Sequence, residues 1–250
     1  MMTDHSTWQS DELSATFLQG VRGAIPAAAL QLEVVGHIVQ SWQAAPRGIL
    51  DLGCGDGILG CSLLERFPEA RTTFADFSDP MLHAVRARIA GHERSVVIKA
   101  DFATPAWLAA VREHGPFDVV VSGFAIHHQS DPRKQELYAE VFDLLAPGGI
   151  FLNLEHVASA TSAVTGLFDE YFIDHLHRFH QGREPGRSRH EVAQIFYDRP
   201  DKKENILAPV VEQCQWLRRI GFVDVDCFFK IFELALFGGR KAEAGNDRHG

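Results

Sequence analysis

Strand-like and helix-like segments alternate between residues 48 and 155, and this alternation limits the possible folds more than any other feature of the sequence. Short runs rich in Val, Ile and Phe are each followed by a stretch of about 10 to 14 residues with helical spacing. The predicted strands are GILDLG, TTFAD, SVVIKAD, FDVVVSGFAI and GIFLNLE. Such a pattern is typical of βαβ units around a parallel sheet. The sequence therefore predicts an α/β fold.

The segments on either side of this region carry different patterns. Apolar residues at helical spacing between residues 27 and 43 predict a helix, and we expect residues 1–45 to form a helical cover. Residues 156–205, called the lid segment below, contain a long amphipathic stripe and a capping box at Ser188 and Glu191, so we expect a helical insert. A last helix ending at Gly221 precedes two apolar runs, FVDVDCFFK and IFELALFGG, which predict an antiparallel pair. We expect residues 1–250 to form one domain.

Composition excludes several classes of protein. With 250 residues, of which 46% are hydrophobic, the chain can bury a sizeable core. A formal net charge of −9 argues against a nucleic-acid partner, which needs a surface rich in Lys and Arg. No secretory pattern or long apolar run is present, so we expect a cytoplasmic protein with no membrane association. The spacing of the four cysteines matches neither a zinc site nor a disulfide framework.

The stretch ILDLGCGDGILG, residues 49 to 60, predicts a strand, a glycine-rich turn and a helix. Such a turn presents backbone N–H groups to a ligand at the sheet edge. Gly55, Gly57 and Gly60 fit the G-x-G-x-x-G pattern of dinucleotide sites, but the glycine directly after the strand is Gly53, so the register is poor. Asp51 would repel a diphosphate and could hold the cationic part of an amino acid. An NAD-dependent dehydrogenase is therefore the weakest alternative.

Two further acidic residues fall at predicted strand ends. Asp76 lies 23 residues after Gly53, where a carboxylate can accept hydrogen bonds from both hydroxyls of a ribose. Asp101 could accept a hydrogen bond from an adenine amine. Apolar neighbours that could pack the adenine ring are Phe77, Met81 and Phe102. An adenosine with a cationic amino-acid tail and no phosphate is S-adenosylmethionine (SAM).

Five ordered motifs, ILDLGCGDG, ADFSDPML, IKADF, FDVVVSGFAIHH and LLAPGGIFLNLE, resemble those of the class I SAM-dependent methyltransferases that act on small molecules. The resemblance implies a seven-stranded, mostly parallel, Rossmann-like sheet with a C-terminal antiparallel hairpin and helices on both faces. It implies SAM as cofactor and S-adenosylhomocysteine as product. The implied cofactor contacts are Asp51, Gly53, Cys54, Gly55, Asp76, Phe77, Met81, Asp101, Phe102 and Ser122. FLQGVRGAIP is similar to a segment that closes over the cofactor in some members, which implies that Arg22 meets the SAM carboxylate. Ordinary turn and cap chemistry is the alternative for the acidic and glycine positions.

Four residues are candidates for catalysis. His127 and His128 end the fourth predicted strand, at the edge where a substrate should arrive, and a purely structural role is the alternative. Glu155 and His156 end the fifth strand, and either could accept a proton from a hydroxyl or an amine.

The lid segment carries two further polar groups. Glu170, Asp174 and His177 have a spacing that suits a metal, but such a stripe is more often a solvated helix face, so we predict no metal site. The loop arginines could hold a substrate carboxylate or phosphate, or could simply be solvated. They are Arg183, Arg187 and Arg189.

These observations predict a SAM-dependent methyltransferase that acts on an oxygen or nitrogen of a small metabolite. One alternative is a SAM-modifying enzyme that resembles carboxy-S-adenosylmethionine synthase, although Asp56 and Gly57 depart from the glycine motif of that family. Another is a non-catalytic SAM-binding module. A homodimer and a monomer are both open.

Overall fold

The sheet has seven strands. The computed structural model describes residues 21–183 and 185–243. The strands are β1 (Gly48–Leu52), β2 (Arg71–Asp76), β3 (Ser95–Lys99), β4 (Phe117–Gly123), β5 (Leu145–His156), β6 (Val223–Ile231) and β7 (Leu234–Arg240). Their order is β3-β2-β1-β4-β5-β7-β6. The first five strands pair in parallel, and β7 runs antiparallel to both β5 and β6. The predicted fold class, including the reversed hairpin, is confirmed.

Eight α-helices lie within the described residues. They are α1 (Ala28–Trp42), α2 (Ile58–Arg66), α3 (Asp79–Arg88), α4 (Trp107–Val111), α5 (Asp131–Leu144), α6 (Ser162–Gln181), α7 (Arg189–Val192) and α8 (Val210–Ile220). A π-helix, Ala193–Tyr197, follows α7, and 3-10 turns lie at Arg22–Ala24, Arg112–His114, Ile126–His128 and Pro200–Glu204. None of these helices is both long enough and apolar enough to span a bilayer.

Helices cover both faces of the sheet. One apolar cluster joins α1 and α2 to β1, β4 and β5, and a second joins α4, α5 and α8 to the opposite face. Of the predicted helical cover, residues 1–20 lie outside the described part of the chain. Gly221, with a φ of +117°, ends α8 as the sequence predicts, because a left-handed backbone at this position favours glycine.

Two element boundaries differ from the expectations. The segment PAWLAAVREH forms only the short α4 and a 3-10 turn, since Gly115 and Pro116 follow directly. The predicted fourth strand FDVVVSGFAI ends early, at Gly123, because Phe124 has a φ of +52° and turns the chain into the 3-10 turn that holds His127. This early end moves the following histidines from a strand onto a turn.

The lid segment has a small apolar cluster of its own. Phe168, Phe172 and Leu176 on one face of α6 pack with Val192 and Phe196. This cluster extends to Val21, Ala24 and Leu234, so the lid segment contacts the residues before α1 and the start of β7. The predicted capping box is present, with Ser188 and Glu191 hydrogen-bonded reciprocally at the start of α7.

Candidate active site

A cavity opens at the carboxyl ends of the parallel strands, under the lid segment. The turns after β1, β2, β3 and β4 all line it. Their cavity-lining residues are Gly53, Gly55, Asp76, Phe77, Ser78, Asp101, Phe102, Gly123, Phe124 and Ala125. A parallel sheet places the ends of its strands along one edge, and ligands of such folds bind there.

The glycine-rich turn is held tightly and leaves space for a ligand. The backbone N–H groups of Gly53 and Cys54 donate to the carbonyl oxygen of Ala75, at 2.8 and 3.1 Å. A Cβ atom at Gly53 would lie 2.4 Å from that of Ala125, so a side chain does not fit. At Gly55 the φ is +54°, and an added Cβ would have no protein atom within 4 Å. A side chain at Gly55 would therefore stand in space that a ligand can use.

Asp51 lies beneath this turn and outside the cavity lining. Its side chain is 1% exposed, and its Oδ2 accepts a hydrogen bond from the backbone N–H of Gly60 at 2.7 Å. The carboxylate thus fixes the start of α2 against β1. The suggested contact of Asp51 with the cationic part of a ligand stays a prediction.

Asp76 reaches the cavity in a fixed orientation. Its Oδ1 accepts from the backbone N–H of Ser78 at 2.8 Å, and its Oδ2 accepts from that of Gly55 at 2.9 Å. Burial raises the pKa of the Asp76 carboxyl above its ordinary value, although these two hydrogen bonds oppose the rise. The carboxylate links the end of β2 to the glycine-rich turn of β1.

The predicted adenine contacts also meet at this cavity. Phe77, Met81, Asp101 and Phe102 all line it, and Oδ1 of Asp101 accepts from the backbone N–H of Ala103 at 2.9 Å. Asp101 is exposed, whereas Met81 and Phe102 are buried. A polar edge next to apolar side chains suits a heteroaromatic ring with an exocyclic amine.

Two other predicted cofactor residues lie outside the cavity lining. Ser122 is fully buried, and its hydroxyl donates to the carbonyl oxygen of Leu52 at 2.7 Å, so it joins β4 to β1 outside the lining. Cys54 is also buried outside the lining, and burial, together with the charges of Asp76 and Asp51, raises the pKa of its thiol. The side chain of Arg22 lies outside the described residues.

The four candidate catalytic residues form one cluster. Nδ1 of His127 lies 2.5 Å from Oε1 of Glu155, which also accepts from the backbone N–H of His156 at 2.8 Å. The rings of His127 and His128 are 4.1 Å apart. The three histidines line the cavity, whereas Glu155, 1% exposed, lies behind them. Burial raises the pKa of Glu155 to about 7, against the opposing effects of the His156 backbone N–H and nearby positive charge.

The structure adds a carboxylate that sequence reasoning missed. Nε2 of His156 lies 2.8 Å from Oε2 of Glu233, a residue 3% exposed in the turn between β6 and β7. Burial alone would raise the pKa of Glu233, but hydrogen bonds from His156 and Thr165 hold it below its ordinary value. The signal in the sequence was a single acidic residue inside the apolar run IFELALF.

Aromatic side chains form the outer wall of the cavity. Phe168 and Phe172 come from α6, Phe196 and Tyr197 from the π-helix, and Phe124 from the turn after β4. Polar lining residues on this side are Gln129, Arg199, Lys202 and Asn205, with Nζ of Lys202 3.6 Å from the centroid of the Tyr197 ring. Sequence reasoning predicted an amphipathic stripe in the lid segment but no aromatic cavity wall, because helical spacing alone does not separate core from cavity wall.

The three arginines that the sequence places in a loop lie outside the cavity lining, and Arg189 is the first residue of α7 rather than part of the loop. Arg189 forms ion pairs with Glu170 and Asp174, both at 2.6 Å. The guanidinium of Arg183 stacks on the Phe179 ring, at 3.9 Å from its centroid, and that of Arg187 lies 5.7 Å from Phe196. The acidic stripe on α6 therefore binds an arginine, and His177 contacts Gln181. In residues 21–183 and 185–243 no group of three or more His, Cys, Asp or Glu side chains could hold a metal.

The residues present fit SAM better than a dinucleotide. The glycine-rich turn offers space at Gly55, but its neighbours Asp51, Asp56 and Asp76 are acidic, which is unfavourable for a pyrophosphate. The same carboxylates favour a ligand with a sulfonium and an ammonium group. Asp76 and Asp101 lie at the strand ends where a ribose and an adenine would be recognised.

Comparisons with known proteins agree with this fit. Residues 49–149 match a family described as a methyltransferase domain. A demethylmenaquinone methyltransferase from Thermus thermophilus is 34% identical over 52% of this chain and 56% of that protein. A carboxy-S-adenosyl-L-methionine synthase from Desulforapulum autotrophicum is 28% identical over 75% of this chain and 72% of that protein.

Solved structures share the fold. An O-methyltransferase family protein from Burkholderia thailandensis has a TM-score of 0.64 at 18% identity, covering 94% of this chain and 60% of that one. Human N-acetylserotonin methyltransferase in complex with SAM has a TM-score of 0.57 at 16% identity, covering 95% and 58%. This chain thus spans less than two thirds of these two structures and of the Thermus relative. Residues 49–149 thus match a methyltransferase domain, and the relatives and the shared fold support its assignment to the class I SAM-dependent type.

Proposed function

We propose that this protein transfers the methyl group of SAM to an oxygen or nitrogen of a small metabolite. The observation that carries the proposal is that one cavity joins the glycine-rich turn and the carboxylates of β2 and β3 to two histidines, each paired with a buried glutamate. SAM, when bound, supplies an activated methyl group, so the protein has mainly to position an acceptor and manage one proton.

The inner half of the cavity would bind the cofactor. Gly53 and Gly55 let the ligand approach the backbone, and Asp76 accepts hydrogen bonds from the ribose hydroxyls. Asp101 accepts from the adenine amine, while the rings of Phe77 and Phe102 pack against the base. Arg22, Asp51, Cys54 and Ser122 remain untested cofactor predictions.

The outer half would bind the acceptor. When the carboxyl of Glu155 is ionised, it accepts a hydrogen bond from Nδ1 of His127, and Nε2 is then the ring nitrogen that can take a proton from an incoming hydroxyl or amine. His128 packs on that ring. The aromatic wall of the lid segment excludes water and suits a flat, largely apolar acceptor.

Isothermal titration with SAM tests the cofactor half. We expect wild type to bind SAM, and Asp76→Ala to weaken binding at least about tenfold, which is roughly 1.4 kcal/mol. Asp79→Ala is the matched control, because Asp79 is the exposed partner of Lys99 and does not line the cavity. Unchanged affinity in a folded Asp76→Ala variant, or no SAM binding by wild type, would contradict the proposal.

A second candidate is an enzyme that modifies SAM itself. Its support is that a carboxy-S-adenosyl-L-methionine synthase from Aeromonas salmonicida matches 95% of this chain and 91% of its own length, at 23% identity. Mass spectrometry of the nucleoside that co-purifies with the protein separates the candidates, because a carboxylated sulfonium nucleoside would support the second one.

Four further predictions stand beside these. A non-catalytic SAM-binding module would bind SAM and no acceptor, which the same titrations detect when acceptors are added. Cytoplasmic location and the choice between a homodimer and a monomer stay predictions, and light scattering after size exclusion tests the second. The absence of a nucleic-acid partner also stays a prediction.

A further inference from the structure

The turn between β6 and β7 places the carboxylate of Glu233 directly behind the cavity-lining ring of His156. Oε2 of Glu233 pairs with Nε2 of His156, and Oε1 accepts from the hydroxyl of Thr165 on α6 at 2.9 Å. The carbonyl oxygen of Glu233 accepts from the backbone N–H of Val157 at 2.8 Å. Glu233 is therefore held by the end of β5 on one side and by α6 on the other.

The charge state of Glu233 determines where His156 carries its proton. Hydrogen bonds hold the pKa of Glu233 below its ordinary value, so the carboxylate is ionised at neutral pH and only accepts hydrogen bonds. The proton of a neutral His156 ring then belongs on Nε2, and Nδ1 is the nitrogen able to take a proton. Carboxylate partners fix the histidine tautomer in this way in many catalytic pairs.

The turn between β6 and β7 contains two energetically unfavourable features, the backbone conformation of Phe232 and the buried carboxylate of Glu233. Phe232, next to Glu233, has a φ of +49°, a left-handed conformation that is unfavourable for a bulky side chain. Its ring packs against Tyr171 and Phe168 of α6, with centroids 5.4 and 6.5 Å away. A buried carboxylate between Phe232 and Leu234 is costly unless it is paired, and an apolar residue would close the hairpin without that cost.

We infer that Glu233 is a positioning residue that fixes the tautomer and orientation of His156 and connects this ring to α6 through Thr165. The inference rests on the proposed function, since only a methyl acceptor in the cavity gives the His156 ring a substrate to face. Displacement of α6 would remove one of the two groups that orient the carboxylate, so the geometry of His156 depends on the position of the lid segment.

Several other titratable groups lie near the His156–Glu233 pair, and the experiment has to distinguish them from His156. Glu155 belongs to the same strand end as His156, and His127 lies with its ring centroid 5.8 Å from that of His156. His128 comes from the same turn as His127, and Tyr197 comes from the π-helix. The experiment must therefore follow the His156 ring itself rather than a bulk titration.

Nitrogen NMR of the histidine rings in the full chain tests the inference, with His156→Gln used to assign the signal. We expect the neutral wild-type ring to carry its proton on Nε2. Glu233→Gln should lower the fraction of neutral His156 rings that carry the proton on Nε2, because the side-chain amide of Gln can donate as well as accept a hydrogen bond. Glu233→Asp should restore most of that fraction, whereas a merely structural role predicts no such rescue.

A proton on Nδ1 of the neutral His156 ring in wild type would overturn the inference. This measurement needs no variant, so the inference can be tested even if Glu233→Gln does not fold. An unchanged fraction of Nε2-protonated rings in folded Glu233→Gln would overturn it too. Thr165→Val should keep the proton of His156 on Nε2. If Thr165→Val changed the tautomer of His156 more than Glu233→Gln does, α6 rather than the carboxylate would orient the ring.

Calorimetry with SAM separates this inference from the proposed function. We expect Glu233→Gln to bind SAM within about threefold of wild type, since Glu233 does not line the cavity and contacts the acceptor side only through His156. Failure of wild type to bind SAM would refute the proposed function, while the ring spectra of the same sample would still decide the role of Glu233.

Discussion

Single residues at the strand ends combine backbone conformation with space for a ligand, and Gly55 is the clearest case. Its left-handed φ excludes most side chains for conformational reasons, and its open surroundings lie on the cavity side. The two effects can be separated, because Gly91 also has a left-handed φ, +92°, and open surroundings, but it follows α3 outside the cavity lining.

We expect Gly55→Ala and Gly91→Ala each to lower the free energy of unfolding by about 1 to 2 kcal/mol, the cost of a left-handed alanine. Only Gly55→Ala should also weaken SAM binding, since its methyl group would enter the ligand space. Urea denaturation measures the first effect and calorimetry the second. Equal SAM affinity in both variants would place the cofactor away from the glycine-rich turn.

The raised pKa of Glu155 predicts that the free energy of unfolding depends on pH. Its pKa of about 7 in the folded state lies above the usual 4.5, so the folded state binds this proton more tightly. The resulting stabilisation is complete below the unfolded pKa and is lost as the pH rises through about 7. Relative to Glu155→Gln, wild type should therefore lose stability between about pH 5 and pH 8, by no more than roughly 3 kcal/mol.

Urea unfolding of both proteins at the two pH values measures this difference. Glu136→Gln is the control, because Glu136 is an exposed partner of Arg133 on α5, whereas Glu155 is buried. A difference between wild type and Glu155→Gln that does not vary with pH would show that burial does not control this carboxyl.

At the scale of the elements, the lid segment is packed through a smaller apolar cluster than most of the helices on the sheet. α6, α7 and the π-helix pack through a small cluster around Phe168 and Leu176, whereas α1, α2, α4, α5 and α8 share the two large clusters on the sheet. Elements with few buried apolar contacts open at lower free energy than the core. The lid segment should therefore open without unfolding of the sheet.

Hydrogen exchange measured by mass spectrometry tests this difference. We expect amides of α6 to exchange faster than those of β4 in wild type, and Leu176→Ala to speed exchange in α6 by an amount equivalent to about 2 to 4 kcal/mol, with β4 unchanged. Leu63→Ala, which removes an equally buried side chain from the cluster of α2, should instead affect the whole sheet. Equal acceleration of β4 in Leu176→Ala would show that the lid segment and the sheet open together.

For the whole molecule, the sequence was sufficient for the architecture and for the edge of the sheet at which the cavity opens. Alternating strand and helix patterns fix a parallel sheet, and chain connectivity forces Asp76 and Asp101 to one edge of it. The residues of the proposed acceptor side could not be predicted in this way. Glu233 is 77 residues from His156 along the chain, and only the insertion of β7 beside β5 brings the two together. Asp51 and Ser122 show the converse, since a motif position does not reveal whether a side chain faces the cavity or the strand beneath it.

The position of β7 between β5 and β6 also has a consequence for synthesis on the ribosome. Residues up to His156 leave the exit tunnel long before residues 234–240, so β5 must wait with one side unpaired until the later strand arrives. A nascent chain that stalls in this interval presents an open strand edge to other chains, and His156 has no glutamate partner. Assembly of the His156–Glu233 pair is thereby tied to translation of the β6–β7 hairpin.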